Sequence, residues 1–460
     1  MTATAFSALH LAAPLLKNLA SLGYAKMTPI QAHSLPPILA GKDVIAKAKT
    51  GSGKTAAFGI GLLSRIVVSS SRVQALVLCP TRELADQVGK ELRRLARFTD
   101  NMRVLTLCGG VPFGPQLGSL QHGAHVVVGT PGRLLDHLRR GSLDLASLQT
   151  LVLDEADRML DMGFQEEISA VLAAAPEKRQ TLLFSATYPE AIAALSAAVQ
   201  HEPVEVTVDE AHDEGAIEQV LYEVDEDGRI PALARILGHY RPESTLVFCN
   251  TRKECQEVAE ALVKRGLSAL AIHGDLEQRE RDLVLARFAN KSISVLVATD
   301  VAARGLDIKE LSAVINYELS PDPEIHTHRI GRTGRAGEQG LALSLVTARE
   351  SRRVQAVEAA LGTTITRGAL ESLVVAAGEP LVPPMVTLCI DGGRKNKMRP
   401  GDILGALTGE AGIAGSEVGK IEVLDSHAYV AVMRSTAAQA LACLSGNKIK
   451  GRFFKVRKIS

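Results

Sequence analysis

The chain has 460 residues, of which 46% are hydrophobic and 22% charged, and this length exceeds what one core usually serves. No run of eighteen residues lacks polar groups, so the composition excludes membrane-spanning helices and favours a soluble protein of two or three domains. The six cysteines are scattered without CxxC spacing, which predicts reduced thiols in the cytoplasm and no cysteine-bound metal. No basic residue precedes Lys17, so we expect a first helix at the N-terminus and not a signal peptide.

The net charge of +1 conceals an uneven distribution along the chain. Residues 383–460 contain twelve basic and six acidic side chains, a local charge of +6, which leaves −5 for everything before them. A compact basic segment that follows a slightly acidic body predicts an appended domain that binds a polyanion.

The first part of the chain alternates short apolar runs with longer segments of helical periodicity. The apolar runs are residues 44–46, 75–79, 104–107, 126–128, 151–153 and 181–184. Strands that are apolar throughout and alternate with helices predict an α/β domain whose parallel sheet is covered on both faces. Ligands of such sheets bind at the carboxyl ends of the strands, where polar residues follow these runs.

The stretch AKAKTGSGKT, residues 46–55, follows the first predicted strand and resembles a phosphate-binding loop. Gly51 and Gly53 would let backbone N–H groups face phosphates, and the helix that begins near Lys54 would add its positive end. Lys54 would contact the outer phosphates and Thr55 would hold magnesium. Ala48 stands where the common pattern has glycine, and an ordinary Gly-Ser turn before a helix is the alternative interpretation.

The acidic stretch 154–157 comes directly after another predicted strand. Asp154 is placed to bind a magnesium ion from the side opposite the phosphates, and Glu155 to orient and deprotonate an attacking water. A solvated acidic loop is the alternative for this stretch alone.

A second block of the same architecture follows the acidic stretch 208–215, which reads as a linker. Its apolar runs are residues 221–224, 245–248, 269–272, 295–298, 313–315 and 341–345. No Gly-Lys-Thr follows any of these runs, so this block assists a nucleotide that it does not cradle. The stretch 378–384 (GEPLVPP), with paired prolines at its end, separates it from the basic tail.

From Phe6 to about Leu361 the chain resembles the DEAD-box RNA helicases, motif after motif and in the family's order. The motifs of the first block are GYAKMTPIQ, AKTGSGKT, PTRELADQ, Gly109-Gly110, TPGR, DEAD and SAT, and those of the second are VFCNT, HGDLEQRERD, ATDVAARGLDI and HRIGRTGR. The resemblance implies two RecA-like parallel-sheet domains, with ATP and Mg²⁺ as cofactors. Ala48 is the family's own form of the phosphate loop.

The resemblance also implies roles for individual residues. Phe6 would stack on adenine, and Arg332 and Arg335 would neutralise the terminal phosphate as catalytic arginine fingers beside Lys54, Asp154 and Glu155. The ATP-binding set is Phe6, Thr28, Gln31, Thr50, Gly51, Ser52, Gly53, Lys54, Thr55, Gly305 and Asp307. The residues that would couple ATP to RNA are Asp157, Ser185, Thr187 and His328. The core RNA-binding set is Pro80, Thr81, Arg82, Gly110, Thr130, Gly132, Arg133, Asn250, Gln278, Arg281 and Thr299.

The tail, residues 383–460, predicts a small α+β sheet domain similar to an RNA-recognition (RRM) module. Its predicted strands are residues 386–391, 420–425, 427–433 and 452–459, with helices at 399–408 and 436–444. His427 and Tyr429 occupy the exposed stacking positions, but Asp425 and Ser426 depart from the usual pattern and the first strand has no aromatic residue. RNA contacts are therefore expected also from the basic loop 392–402, with Arg394, Lys395, Lys397 and Arg399.

Joined to this core, the tail resembles the DbpA and YxiN subfamily on GGRKNKMRPGDILGALTG, residues 392–409. That resemblance implies binding to hairpin 92 of 23S ribosomal RNA and work on precursors of the large ribosomal subunit, by a cytoplasmic monomer without membrane contact. The expected boundaries are 1–207 and 216–366 for the RecA-like domains, 208–215 and 367–382 for linkers, and 383–460 for the tail. A DNA helicase and a non-enzymatic RNA chaperone or assembly placeholder are the alternatives.

Overall fold

A computed structural model describes residues 5–48, 52–208, 217–303, 311–334, 340–375 and 381–459. The chain divides into two compact units. The first unit holds one parallel sheet, and the second unit holds another parallel sheet together with a small antiparallel sheet. Every helix within these ranges is too short or too polar to cross a bilayer.

Seven parallel strands form the sheet of the first unit. They are β1 (Val44–Lys47), β2 (Ala75–Leu78), β3 (Val104–Leu107), β4 (Val126–Gly129), β5 (Thr150–Asp154), β6 (Gln180–Ser185) and β7 (Val204–Thr207). Their spatial order is β3-β4-β2-β5-β6-β1-β7, which places β1, β6 and β5 side by side. Most of their side chains are fully buried, because helices cover both faces of the sheet.

The helices of this unit are α1 (Ala13–Ser21), α2 (Pro29–Leu39), α3 (Lys54–Leu63), α4 (Arg82–Leu95), α5 (Phe113–Gln121), α6 (Pro131–Arg139), α7 (Ala156–Asp161), α8 (Gln165–Ala173) and α9 (Glu190–Val199). Several begin where the sequence supplies a start signal. Pro29 and Pro131 occupy first-turn positions that need no N–H donor, and Thr81 caps α4 by accepting a hydrogen bond from Leu84 N at 3.2 Å.

The second unit repeats this architecture. Its parallel strands are β8 (Ile217–Glu223), β9 (Thr245–Cys249), β10 (Ala269–Ile272), β11 (Val295–Thr299), β12 (Ala313–Asn316), β13 (Gly340–Val346) and β14 (Thr366–Gly368), in the order β10-β11-β9-β12-β13-β8-β14. Its helices are α10 (Arg229–Tyr240), α11 (Arg252–Lys264), α12 (Gln278–Ala289), α13 (Asp300–Ala303), α14 (Pro323–Ile330) and α15 (Ser351–Leu361).

The tail forms a four-stranded antiparallel sheet. Its strands are β15 (Met385–Ile390), β16 (Val418–Val423), β17 (Ala428–Met433) and β18 (Val456–Ile459), in the order β16-β17-β15-β18. The helices are α16 (Pro400–Gly405), which continues into a wider turn at Ala406–Glu410, and α17 (Ala437–Gly446). The tail has its own apolar core around Leu388, Ile403 and Val430.

The predicted fold class is confirmed, and each predicted strand exists with bounds shifted by a few residues. The sequence missed two edge strands, β7 and β14, because both are short and partly exposed and therefore carry no continuous apolar run. The domain boundaries remain predictions, since residues 209–216 and 376–380 lie outside the described ranges. Leu373, inside the expected second linker, packs into the core of the second parallel sheet, and Arg235 donates to its carbonyl at 2.9 Å.

Candidate ATP- and RNA-binding sites

Strand order gathers the predicted ATP-binding residues of the first unit. Lys54 and Thr55 follow β1, Asp154 ends β5, and Ser185 ends β6, and these three strands are adjacent. Because parallel strands end at the same edge of a sheet, residues from three distant segments meet there.

Gln31, one of the predicted ATP-binding residues, contacts Gly53 at the end of the predicted phosphate loop. The side-chain amide of Gln31 accepts a hydrogen bond from Thr28 N at 2.9 Å and donates one to the Gly53 carbonyl at 3.2 Å. Gly53 has φ +99°, and a Cβ there would collide with the Gln31 amide, so this position requires glycine. Gln31 therefore links the start of α2 directly to Gly53.

Lys54 and Asp154 form a buried pair of charged groups. Their exposed fractions are 6% and 3%, and the Lys54 ammonium finds no hydrogen-bond partner among the residues that the structure describes. Burial raises the pKa of Asp154 to about 7; the positive charge of Lys54 counteracts this, and the neighbouring Glu155 adds to it. A desolvated carboxyl and an orphaned ammonium fit a site that takes up a metal ion and a phosphate group.

Glu155 and Asp157 leave the same strand end with different surroundings. Glu155 is 8% exposed and adopts φ +53°, a left-handed conformation that redirects its side chain relative to Asp154. Asp157 accepts hydrogen bonds on Oδ2 from Ala186 N at 3.2 Å and from the N and Oγ1 of Thr187, both at 3.1 Å. The carboxylate of Asp157 thus ties the loop after β5 to the loop after β6, and its coupling role stays a prediction.

Other predicted ATP-binding residues are less accessible or lie outside the described ranges. Phe6 is 4% exposed and meets the Tyr24 ring edge-on, with 5.9 Å between centroids. The Phe6 ring is therefore buried in this structure, and its stacking on adenine stays a prediction. Thr50, Gly51, Gly305, Asp307 and Arg335 fall on residues that the structure does not describe.

The predicted RNA-binding residues of the first unit lie on the other half of the same sheet edge. They follow β2, β3 and β4, which are adjacent strands. The set comprises Pro80, Thr81 and Arg82 after β2, Gly110 after β3, and Thr130, Gly132 and Arg133 after β4. Arg133 donates to the Val111 carbonyl from both Nη atoms at 3.1 Å, so this side chain also orders the loop that follows β3.

The second unit divides its sheet edge in a similar way. Asn250 follows β9, Gln278 and Arg281 lie on α12 after β10, and Thr299 ends β11, so these predicted RNA-binding residues follow three adjacent strands. His328, predicted to couple ATP to RNA, and Arg332, predicted to act on ATP, come after the neighbouring strand β12.

Arg329 is a residue that the sequence reasoning passed over. It is 1% exposed and its guanidinium donates to Asp300 at 2.7 and 2.8 Å, to Asn316 Oδ1 at 3.1 Å and to Asn250 Oδ1 at 2.9 Å. The Asn250 side chain is thus engaged inside the protein, and its Nδ2 donates to Leu319 O at 3.2 Å. Arg329 joins the two halves of this sheet edge. Its place in the sequence between His328 and Arg332, both predicted functional residues, could have identified it as a candidate.

The tail corrects one expectation about exposure. Tyr429 was predicted at an exposed stacking position, but it is 4% exposed, because Tyr429 and Cys389 pack with Ala286 of α12. Thr387 on the same sheet bonds Asn290 at 3.2 Å and Ser292 at 2.7 Å. His427 is half-buried and meets Tyr429 edge-on.

The basic loop, by contrast, presents its charges as predicted. Arg394, Lys395, Lys397 and Arg399 are all exposed. Position 393 requires glycine, because a Cβ there would collide with the carbonyl of Leu424.

In the first parallel sheet, strand β1 is followed by a Gly-Lys-Thr loop, and no strand of the second sheet is followed by that sequence. Together with the appended basic module, this arrangement defines a nucleotide-driven helicase that acts on nucleic acid. Family models match in the same order: a DEAD/DEAH box helicase at residues 28–195, a helicase conserved C-terminal domain at 228–337 and a DbpA RNA binding domain at 387–458. The chain belongs to the DbpA-type DEAD-box ATP-dependent RNA helicases.

Individual relatives agree with this assignment. The ATP-dependent RNA helicase DbpA of Escherichia coli is 57% identical over 99% of both chains. The DEAD-box helicase CshA of Bacillus cereus is 46% identical over 77% of this chain and 68% of its own. Among solved structures, S. cerevisiae Dbp5 bound to RNA and ADP BeF3 is 32% identical, with a TM-score of 0.74 over 80% of this chain and 96% of that one. The similarity to CshA and Dbp5 is limited to about four fifths of this chain, whereas DbpA matches nearly all of it.

The raised pKa of Asp154 predicts how stability changes with pH when metal and nucleotide are removed. Its folded-state pKa of about 7 exceeds the ordinary 3.8, so the unfolded chain releases this proton first as the pH rises, and stability falls across that window. We expect Asp154→Asn to raise the free energy of unfolding at about pH 8, by up to roughly 4 kcal/mol, and to have little effect near pH 4.

Urea unfolding at the two pH values measures this difference. Asp144→Asn, an exposed aspartate of the same unit, is the matched control and should leave stability unchanged. An Asp154→Asn protein no more stable than the wild type at about pH 8 would contradict the prediction.

Proposed function

We propose that this helicase remodels RNA of the large ribosomal subunit during its assembly, with its tail bound to hairpin 92 of 23S ribosomal RNA. The observation that carries this proposal is similarity to DbpA through the whole chain, including the match of the DbpA RNA binding domain to residues 387–458. The tail's charge of +6 supports an RNA tether. We further propose that the protein acts as a monomer in the cytoplasm, where ribosomal precursors are assembled.

ATP hydrolysis is assigned to the buried edge formed by β1, β5 and β6. We propose that Lys54 contacts the outer phosphates and that Glu155 orients and deprotonates the attacking water. Thr55 and Asp154 are the residues that would hold Mg²⁺, which neutralises phosphate charge when it is bound. Burial of Lys54 and Asp154 favours their binding of phosphate and Mg²⁺, because charges interact more strongly away from water.

Coupling between ATP and RNA is assigned to the loops that leave the same sheet edge. Asp157 holds the loop of Thr187 by three hydrogen bonds, so a movement of either loop reaches the other. In the second unit, Arg329, which follows β12, donates to Asp300 after β11 and to Asn250 after β9, and so gives a route between the two halves of that edge. We propose that these contacts transmit nucleotide state to a surface that grips the RNA backbone and favours a bent single strand.

Replacing the proposed water-activating residue should abolish catalysis and spare the fold. We expect Glu155→Gln to lower RNA-stimulated ATP hydrolysis by about a hundredfold or more, because general-base catalysis typically contributes that much. Steady-state ATPase with saturating RNA measures the loss, and RNA binding by the tail should persist. Glu166→Gln, an exposed glutamate on α8, is the matched control. A fully active Glu155→Gln enzyme would remove Glu155 from the mechanism.

The proposed arginine finger should act on turnover and not on ATP affinity. We expect Arg335→Ala to retain ATP binding within about threefold and to lose turnover by about a thousandfold, since such arginines stabilise charge in the transition state. Nucleotide affinity and steady-state rate, measured on the same preparation, separate the two effects. Arg349→Ala is the control, because the Arg349 side chain is 85% exposed. Equal losses of affinity and rate would contradict a transition-state role.

The choice of RNA is tested with hairpin fragments. We expect a hairpin 92 fragment to stimulate ATP hydrolysis at concentrations at least about tenfold lower than a scrambled hairpin of equal length, in the same salt. The comparison is repeated on a chain truncated after Leu381, which should respond equally to both RNAs. Equal stimulation of the full chain by the two hairpins would refute the ribosomal substrate while leaving the helicase activity intact.

A further inference from the structure

The tail exposes one phenylalanine in the segment between α17 and β18. Phe453 is 63% exposed, whereas its neighbour Phe454 is half-buried. Phe454 occupies the space over Gly392, where a Cβ would collide with the Phe454 ring. Successive residues of an extended segment point to opposite sides, so inward packing of Phe454 directs Phe453 outward.

The segment that carries Phe453 is held in place by a tight turn. Ile449 and Arg452 exchange backbone hydrogen bonds at 2.8 and 3.2 Å, with Lys450 and Gly451 between them at φ +52° and +79°. Two successive left-handed residues are typical of a type I′ turn. Lys450 anchors this turn to the basic loop, because its Nζ donates to the Lys397 carbonyl at 2.7 Å and lies 3.6 Å from Asp402.

The surroundings of Phe453 are strongly basic. Lys448 Nζ lies 5.6 Å from the centroid of the Phe453 ring. Lys395, Lys397, Arg399, Lys448, Lys450, Arg452 and Lys455 are all exposed on the two connected loops. The acids nearby are engaged, since Asp402 pairs with Lys450 and Asp425 lies 3.8 Å from Arg394. An accessible aromatic ring framed by cations suits RNA, which offers phosphates and unpaired base faces together.

The sheet face of the tail is not available for this task in the structure. Its central aromatic residue, Tyr429, packs with Ala286 of the second parallel-sheet region, and Thr387 bonds Asn290 and Ser292. An isolated exposed phenylalanine is ordinary on protein surfaces. What distinguishes Phe453 is its anchorage to the basic loop and the cation over its ring.

We propose that Phe453 stacks on an unpaired base of the RNA that the basic loop binds, replacing the stacking residues of the covered sheet face. This inference rests on the proposed function only in that the tail binds RNA. The loop cations position the backbone, and the ring adds a contact that requires an unstacked base. A protein partner on the same surface would not need an unpaired base, and the experiment separates the two.

The test uses the full chain and a hairpin 92 fragment that carries 2-aminopurine at unpaired positions. We expect Phe453→Ala to weaken binding by about tenfold or more and to abolish the quenching of 2-aminopurine on binding. Phe453→Tyr should restore both. The salt dependence of the affinity should not change for Phe453→Ala, whereas Lys448→Ala should reduce its slope by about one charge. Phe98→Ala is the control, because Phe98 is 38% exposed beneath Lys17 and Arg97 in the first unit.

The outcomes distinguish this inference from the ribosomal assignment. Affinity of Phe453→Ala within twofold of Phe98→Ala, with unchanged quenching, would overturn the stacking role. Weaker binding of Phe453→Ala to both hairpin 92 and its scrambled control, with no preference in the wild type, would support stacking and overturn the substrate. A wild-type chain whose tail binds neither RNA would overturn both.

Discussion

The order of strands in the two parallel sheets decides which loops can act together. In the first sheet, β1, β6 and β5 stand side by side, and so do β2, β4 and β3, so one sheet edge carries two neighbouring groups of loops. The second sheet groups β9, β11 and β10 and places β12 beside them. Residues proposed for ATP and for RNA therefore share one sheet edge. The hydrogen bonds of Asp157 join two loops within the group proposed for ATP, whereas those of Arg329 join the helix after β12 to residues that follow β9 and β11.

Charge burial at the ATP edge is unfavourable for the protein chain by itself. Burial raises the pKa of Asp154 to about 7, and the buried Lys54 ammonium has no hydrogen-bond partner in the described part of the chain. A ligand that brings phosphates and a cation would satisfy both groups, so binding and stability are linked. The Gln31 amide bridges the Thr28 N–H and the Gly53 carbonyl beside these charged groups.

Contact with α12 changes which surface of the tail's sheet domain is exposed. Its sheet has the strand order of an RNA-recognition domain, yet Tyr429 and Cys389 are buried against Ala286. Basic side chains and Phe453 remain accessible on the loops at another part of the domain. The proposed recognition of RNA through loops leaves the sheet free to pack on α12, the helix that also carries Gln278 and Arg281.

The sequence by itself determined the buried parallel strands, since continuous apolar runs predict them. It also predicted the roles of Lys54, Glu155 and the basic loop, since motifs reside in contiguous residues. The short edge strands β7 and β14 escaped prediction because half-exposed strands lack that apolar run. Only the tertiary structure decided that Tyr429 is buried and that Arg329 joins Asp300 to Asn250. Burial and pairing depend on residues far apart in the chain, and local sequence carries no record of which distant surface covers a side chain.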